Sequence, residues 1–355
     1  MKPSDTDWLT GQKSLKPGIP LVRAFQLLFF VEHLRTLGCP VGTLLQQAHI
    51  PVYALEQPQA PVPLCMARKF IQMAADREDL PHLGLLVGTG VTLQNFGAYG
   101  QLLSHSRNLH DYLINAVHHF RALNSGAYFW FRVTVDQVRV GYHRTGAASG
   151  ESVQDDLFSL MTTVSLIRQL TRTRWTPTLL RLPCLPSHLL GRLCAEEAIG
   201  GIRIVTGAGD PCIVFPAADL HLPMACRPPF PEHRDAGVSQ LMPLPVGLDD
   251  SLRLLLQHLL REGYPPIEQV AAAAGVGKRS LQRYLSALGL NYSDLVERVR
   301  LETAVRLLST TDESVDAIAY SLGYTDPANF SRAFRRWLGM APRRFRQQTV
   351  APAGD

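Results

Sequence analysis

The sequence predicts an α+β domain followed by an all-α domain. Three observations carry that reading. Helical and strand periodicities interleave through residue 223, only helical periodicity appears after residue 246, and a proline-bearing stretch lies between them. The chain has 355 residues, 46% of them hydrophobic and 18% charged, so it has apolar material for two buried cores. The expected organisation is an α+β domain over 21–223, a linker over 224–246 and a helical domain over 247–348.

In the first domain the polar lead-in 1–20 gives way to a helix expected over 21–37 and stopped by Gly38. Prolines at 51, 58, 61 and 63 break the next stretch, and helical spacing resumes over 64–76. The segment 84–100 is rich in glycine and apolar residues. A firmer helix runs over 108–123, with Asn108 as its N-cap. The period then changes to two. Aromatic and β-branched residues over 128–135, an Asp136-Gln137 break, and alternating Val138, Val140 and Tyr142 predict a β-hairpin. A helix over 153–172 and short strands over 178–182, 201–205 and 212–215 complete the domain.

The linker carries Pro228, Pro229, Pro231, Pro243 and Pro245 with little apolar periodicity. Beyond it seven helices are expected, over 249–262, 267–274, 278–288, 292–308, 314–322, 327–338 and 342–348. They use one helix-turn-helix layout twice. In the first copy, Ile267, Val270 and Ala271 share a face, Gly275 supplies a left-handed turn, and Leu281, Tyr284 and Leu285 point inward. Lys278, Arg279, Gln282 and Arg283 are left outward; Arg pairs bidentately with guanine and Gln with adenine. In the second copy Ser314 caps one helix, Gly323 closes it, and Asp326-Pro327 starts the next. Phe330, Phe334 and Trp337 form an inward stripe, with Ala328, Asn329, Arg332 and Arg336 outward.

Charge is uneven. The formal net charge is +5, and residues 275–348 hold twelve basic and seven acidic side chains, so the excess sits in the helical domain. That is the footprint of a polyanion binder. The six cysteines form no Cys-x-x-Cys pair and read as reduced thiols, not as a zinc site. His105, His110, His118 and His119 are the only local histidine cluster; His118 and His119 diverge on a helix, and no metal site is expected. No nucleophile elbow, zincin motif or phosphate-binding loop with lysine is present, so no catalytic residue and no cofactor are expected. The N-terminus lacks the apolar core of a signal peptide and no run approaches a membrane span, which predicts a soluble, cytoplasmic protein.

The string Ile318-Ala319, Leu322-Gly323-Tyr324 and then Asn329-Phe330-Ser331-Arg332-Ala333-Phe334-Arg335-Arg336-Trp337, continuing through Gly339, Pro342 and Phe345-Arg346, resembles the signature of AraC-type transcription regulators. The likeness reaches upstream. Gly97-Ala98-Tyr99, the helix near 109–123, and Val214-Phe215-Pro216 through Pro223 look like the arabinose-binding type of N-terminal domain found in ornithine-utilisation and virulence regulators. Gly277 departs from the serine common at that cap, a small loss because glycine caps nearly as well.

The resemblance implies a ligand-responsive bacterial activator that binds double-stranded promoter half-sites as a homodimer and engages RNA polymerase. By motif position it implies base reading by Arg279, Gln282 and Arg283 in the first unit and by Asn329 and Arg332 in the second. Lys278, Ser331, Arg336 and Arg343 take phosphate roles. The helix over 292–308, about 25 Å long, would join two recognition helices set for successive major grooves. A ligand-free architectural DNA binder and an enzyme fused to a DNA-binding domain are the rival readings. The first domain is too large and apolar for a simple tether, and its aromatic hairpin at Tyr128–Phe131 is either core, the commoner place for strand aromatics, or a wall of an effector pocket of unknown specificity.

Overall fold

A computed structural model describes residues 18–144, 152–183, 185–224, 242–287 and 289–349. The chain opens with β1 (Leu21–Arg23), α1 (Ala24–Thr36), α2 (Val41–Gln47), α3 (Tyr53–Glu56) and β2 (Pro61–Pro63). It continues with α4 (Leu64–Arg77), α5 (Leu83–Gly90), α6 (Ala98–Ser104), α7 (Leu109–His119) and the hairpin β3 (Ala127–Val133) and β4 (Gln137–Arg144). Then come α8 (Val153–Thr171), β5 (Leu179–Arg181), α9 (Ser187–Ala195), β6 (Arg203–Val205) and β7 (Cys212–Pro216).

The expected helix over 21–37 begins instead as a strand. Leu21–Arg23 pairs antiparallel with Pro61–Pro63, and α1 starts only at Ala24. The prolines explain the pairing: Pro20 and Pro61 cannot donate a helical hydrogen bond, but their carbonyls still accept, and Leu64 N donates to Pro20 O at 2.8 Å. Asn108 caps α7 by accepting from Asp111 N at 2.9 Å, as its position predicts. The strands β3, β4, β7, β5 and β6 form one five-stranded sheet in that order, all antiparallel neighbours except β5 and β6.

Inside the domain, α8 packs along α5 because Gly84 and Gly88 lie against its backbone; a Cβ on Gly84 would stand 2.1 Å from Gln154 O. Asp156, 3% exposed, takes hydrogen bonds from Tyr142 and Arg144, and Arg68 pairs with Asp155. Burial pushes the Tyr142 phenol far above its usual range. His118 and His119 turn their Nδ1 atoms to carbonyls of their own helix.

Most of the linker expected over 224–246, residues 225–241, lies outside the described residues. The helical region follows as α10 (Leu248–Leu259), α11 (Ile267–Ala273), α12 (Lys278–Ala287), α13 (Tyr292–Thr310), α14 (Val315–Ser321), α15 (Pro327–Leu338) and α16 (Pro342–Thr349). All seven expected helices form there, with no strand among the described residues.

The buried cores do not divide where the chain does. One continuous apolar cluster runs from Ile19 to Val299 and includes α10 to α12, and a second, smaller one is built by α13 to α15. Tyr53 N donates to Glu262 Oε1 at 3.0 Å, Ile19 N to Ser251 Oγ at 3.0 Å, and the Tyr53 and His258 rings lie 5.2 Å apart. The helix before the first helix-turn-helix unit is therefore packed against the α+β domain, and the unit itself meets that domain where Cys65 Sγ donates to Ala273 O at 3.5 Å.

Candidate nucleic-acid interface

Each helix-turn-helix unit is built by an apolar side facing in and a polar side facing out. In the first, Val270 and Ala271 bury against Leu281 and Leu285, and Gly275 turns the chain at φ 68°. Gly277, without a side-chain cap, still starts α12 through its carbonyl, which accepts from Leu281 N at 3.1 Å. Tyr284, expected inward, is half-buried. Lys278, Arg279, Gln282 and Arg283 are all exposed along one helix.

In the second unit Ser314 accepts from Ala317 N at 3.0 Å, and Asp326 accepts from Ala328 N at 2.8 Å with Pro327 at the first position. Phe330 and Phe334 are fully buried, their rings 5.7 Å apart, and Phe345 meets Phe334 edge-on at 5.6 Å. Trp337, expected with them, is only half-buried: its Nε1 reaches Glu297 at the edge of the cluster, 3.4 Å away. An indole N–H seeks a polar partner, which keeps this end of the stripe at the surface. Asn329, Arg332, Arg336 and Arg343 are exposed, and Ser331 is half-buried.

The structure brings Asn329 and Arg332 together, one turn apart, with the guanidinium donating to the amide oxygen. Other members of the set are held by acids. Lys278 Nζ lies 2.6 Å from Glu268 Oε1, and Arg336 lies 3.2 Å from Glu297. The Lys278 ammonium holds the Glu268 carboxyl below its usual range. Exposed pairs of this kind are worth at most about 1 kcal/mol, so a phosphate can displace them.

Arg300, which sequence reasoning treated only as one of many basic residues, joins the two units. From α13 its Nε donates to Leu322 O at 3.0 Å and its Nη2 to Gly323 O at 3.1 Å. Its guanidinium also lies over the rings of Tyr324, at 4.3 Å, and Tyr264, at 5.3 Å. The turn of the second unit thus sits on the segment between α10 and α11, just ahead of the first unit. A Cβ on Gly323, whose φ is 73°, would stand 2.8 Å from Leu260 O. The signal was present: Arg300 is four residues from both Val296 and Ala304, on the packed side of its helix.

Among the described residues no group of three or more His, Cys, Asp or Glu is arranged to hold a metal ion, and no helix is long and apolar enough to cross a membrane.

Two family models match the chain. A helix-turn-helix domain matches residues 270–348, and the N-terminal arabinose-binding domain of AraC transcription regulators matches residues 38–224. The ornithine utilization regulator of Pseudomonas aeruginosa is 36% identical over 138 residues, which are 38% of this chain and 40% of that one. The chain thus spans about two fifths of that relative's length. An uncharacterized HTH-type transcriptional regulator of Mycobacterium tuberculosis is 25% identical over 313 residues, 86% of this chain and 90% of that one. The crystal structure of the transcriptional regulator CdpR from Pseudomonas aeruginosa aligns at 20% identity and a TM-score of 0.38, covering 91% of this chain and 98% of that chain. With the arabinose-binding model covering more than half of the sequence and the helix-turn-helix model matching the C-terminal helices, the chain belongs to the AraC family of transcription regulators.

Proposed function

We propose that the protein is a cytoplasmic, ligand-responsive activator that reads two promoter half-sites as a homodimer and engages RNA polymerase there. Arg279, Gln282 and Arg283 read bases for the first unit, and Asn329 and Arg332 for the second. Lys278, Ser331, Arg336 and Arg343 hold phosphates. The single observation that supports this most is the exposure of all five proposed base-reading side chains along two helices whose other sides are buried. Arg and Gln side chains free on a helix face match the donor and acceptor pattern of the major groove. The joining helix α13, nineteen residues and about 28 Å long, suits recognition helices one DNA turn apart.

The domain limits proposed are 21–223 for effector binding and dimerisation and 247–348 for DNA. The packing of α10 and α11 on the first domain supports control through that contact: a ligand that favours one arrangement shifts the reader by as much as its affinities for the two arrangements differ. The proposed activity is binding rather than catalysis.

Selection of bound duplexes from a random pool with the full chain tests the reading. It predicts enrichment of two short motifs about one helical turn apart. Arg279→Ala with Gln282→Ala should relax one motif, and Asn329→Ala with Arg332→Ala the other. A pool that emerges unenriched defeats it.

A further inference from the structure

We propose that the open face of the five-stranded sheet binds a small dianion whose charges stand at the two ends of a short apolar body, such as a linear dicarboxylate. Strand register fixes which side chains share that face. Arg139 pairs with Val214, Val214 with Leu179, and Leu179 with Arg203, so these four form one row across β4, β7, β5 and β6. The adjoining row carries Cys212 and Arg181. The opposite face of the same strands, Val138, Val140, Ile213, Phe215 and Leu180, is fully buried. On the other face buried Val214, 8% exposed, and half-buried Leu179 make an apolar floor to a cleft that Arg139 and Arg203 line at its two ends and Arg181 beside its centre.

The cleft over this floor has a volume of about 430 Å³, within the range of small-ligand sites. The gap beneath α1, α4 and α8 in the interior of the same domain is only about 50 Å³, room for one or two waters. Arg139 and Arg203 are exposed, and neither has an acidic partner among the described residues. Arg181 gives one Nη to Ala208 O at 3.1 Å, while its Nε is buried without a partner among the described residues. Arg132 directly faces Arg139 across the hairpin and adds to the positive field. The acid at the rim, Asp210, is already engaged by His143 at 2.9 Å. Like charges set opposite one another on a sheet repel, so an anionic head beside Arg139 and Arg132 relieves a standing cost.

The geometry also sets the ligand's length. Arg139 and Arg203 stand on strands three spacings apart, about 14 Å between backbones, and both line the cleft. A body of about four to eight carbons between two charged ends matches this spacing. Guanidinium and carboxylate match as planar, bidentate partners, which favours carboxylate ends.

Titration calorimetry on the full chain with adipate, hexanoate and 1,6-hexanediol tests the site. Adipate should bind about tenfold or more tightly than hexanoate, and the diol should not bind. Arg203→Ala should bring adipate down to the hexanoate level, while Arg298→Ala with Arg344→Ala, exposed on the helical domain, should leave it unchanged. Absence of adipate binding, equal binding of adipate and hexanoate, or indifference to Arg203→Ala overturns the proposal. So does a loss of duplex affinity in Arg139→Ala with Arg203→Ala without any ligand, because the face would then be a DNA-backbone surface. The inference gives a chemical class to the sensing role proposed above and rests on that role only for its consequence. Duplex affinity with and without adipate measures the coupling separately, so a real site without control and an absent site give different results.

Discussion

Replacing Phe334 by Ala removes one of the two fully buried rings in the smaller of the two cores. Phe334 is fully buried, with Phe330 at 5.7 Å and Phe345 at 5.6 Å, in a cluster of only eight buried residues. Truncating such a ring costs about 3–5 kcal/mol, the lost transfer energy plus the cavity left behind. That cluster is distinct from the large core, so the loss should fall on α14 to α16 and not on the chain as a whole. At the lower bound the opening constant of these helices rises about 150-fold, since each 1.36 kcal/mol is tenfold. Hydrogen exchange read segment by segment measures this directly. The expected result is faster exchange in α14 to α16, with the sheet of the first domain protected as before. Unchanged exchange in α15, or an equal rise throughout the chain, refutes the assignment of a separate second core.

Three further outcomes follow from named contacts. Arg300→Ala removes two hydrogen bonds from a charged group and two ring contacts, and should destabilise the second unit by about 2–4 kcal/mol in denaturant titration; Arg300→Lys, which cannot form the planar fork, should recover less than half. Gly323→Ala meets both a left-handed φ and the Leu260 carbonyl, so it should lower the melting point of the second unit, whereas Gly277→Ser, in open space at a helix start, should not. His258, between the Tyr53 ring and the charges of Arg261, Arg23 and Arg306, is pushed down to about 4, by burial first and those arginines second. Below pH 6.5 the unfolded chain takes up this proton and the folded chain does not until about pH 4. Stability complete above pH 6.5 is therefore lost across that window, by up to about 3 kcal/mol, and His258→Phe should flatten this part of the pH profile.

The second domain was legible because its helices announce both ends: Ser314 and Asp326 cap, Pro327 opens, and Gly275 and Gly323 close. Its outward residues followed from the same spacing, since an apolar stripe at Phe330 and Phe334 leaves Asn329 and Arg332 on the other side. The failures have a common physical form. Whether 21–23 is a strand depends on a partner forty residues away, and prolines in that partner disguise it as a loop. The position of Trp337 depends on an acid, Glu297, on another helix. The hairpin Tyr128–Phe131 is open to two readings in the sequence, pocket wall or core; Phe129 stacks on Phe120 at 5.6 Å and Phe131 meets His110 edge-on. The arginine row across the sheet is invisible until register aligns Arg139 with Arg203, because the two lie far apart in the chain.

The central claim is that the two outward helix faces read DNA, and Arg332 tests it most directly. Fluorescence anisotropy of the full chain on its selected duplex, repeated across a salt series, compares Arg332→Ala with Arg343→Ala. Arg332→Ala should lose about 1–3 kcal/mol and its preference at one or two base pairs, with the salt slope nearly kept. Arg343→Ala should weaken all duplexes alike and reduce the slope by about one. Equal affinity and equal sequence preference in wild type and Arg332→Ala, on a salt profile that is flat for both, would contradict it.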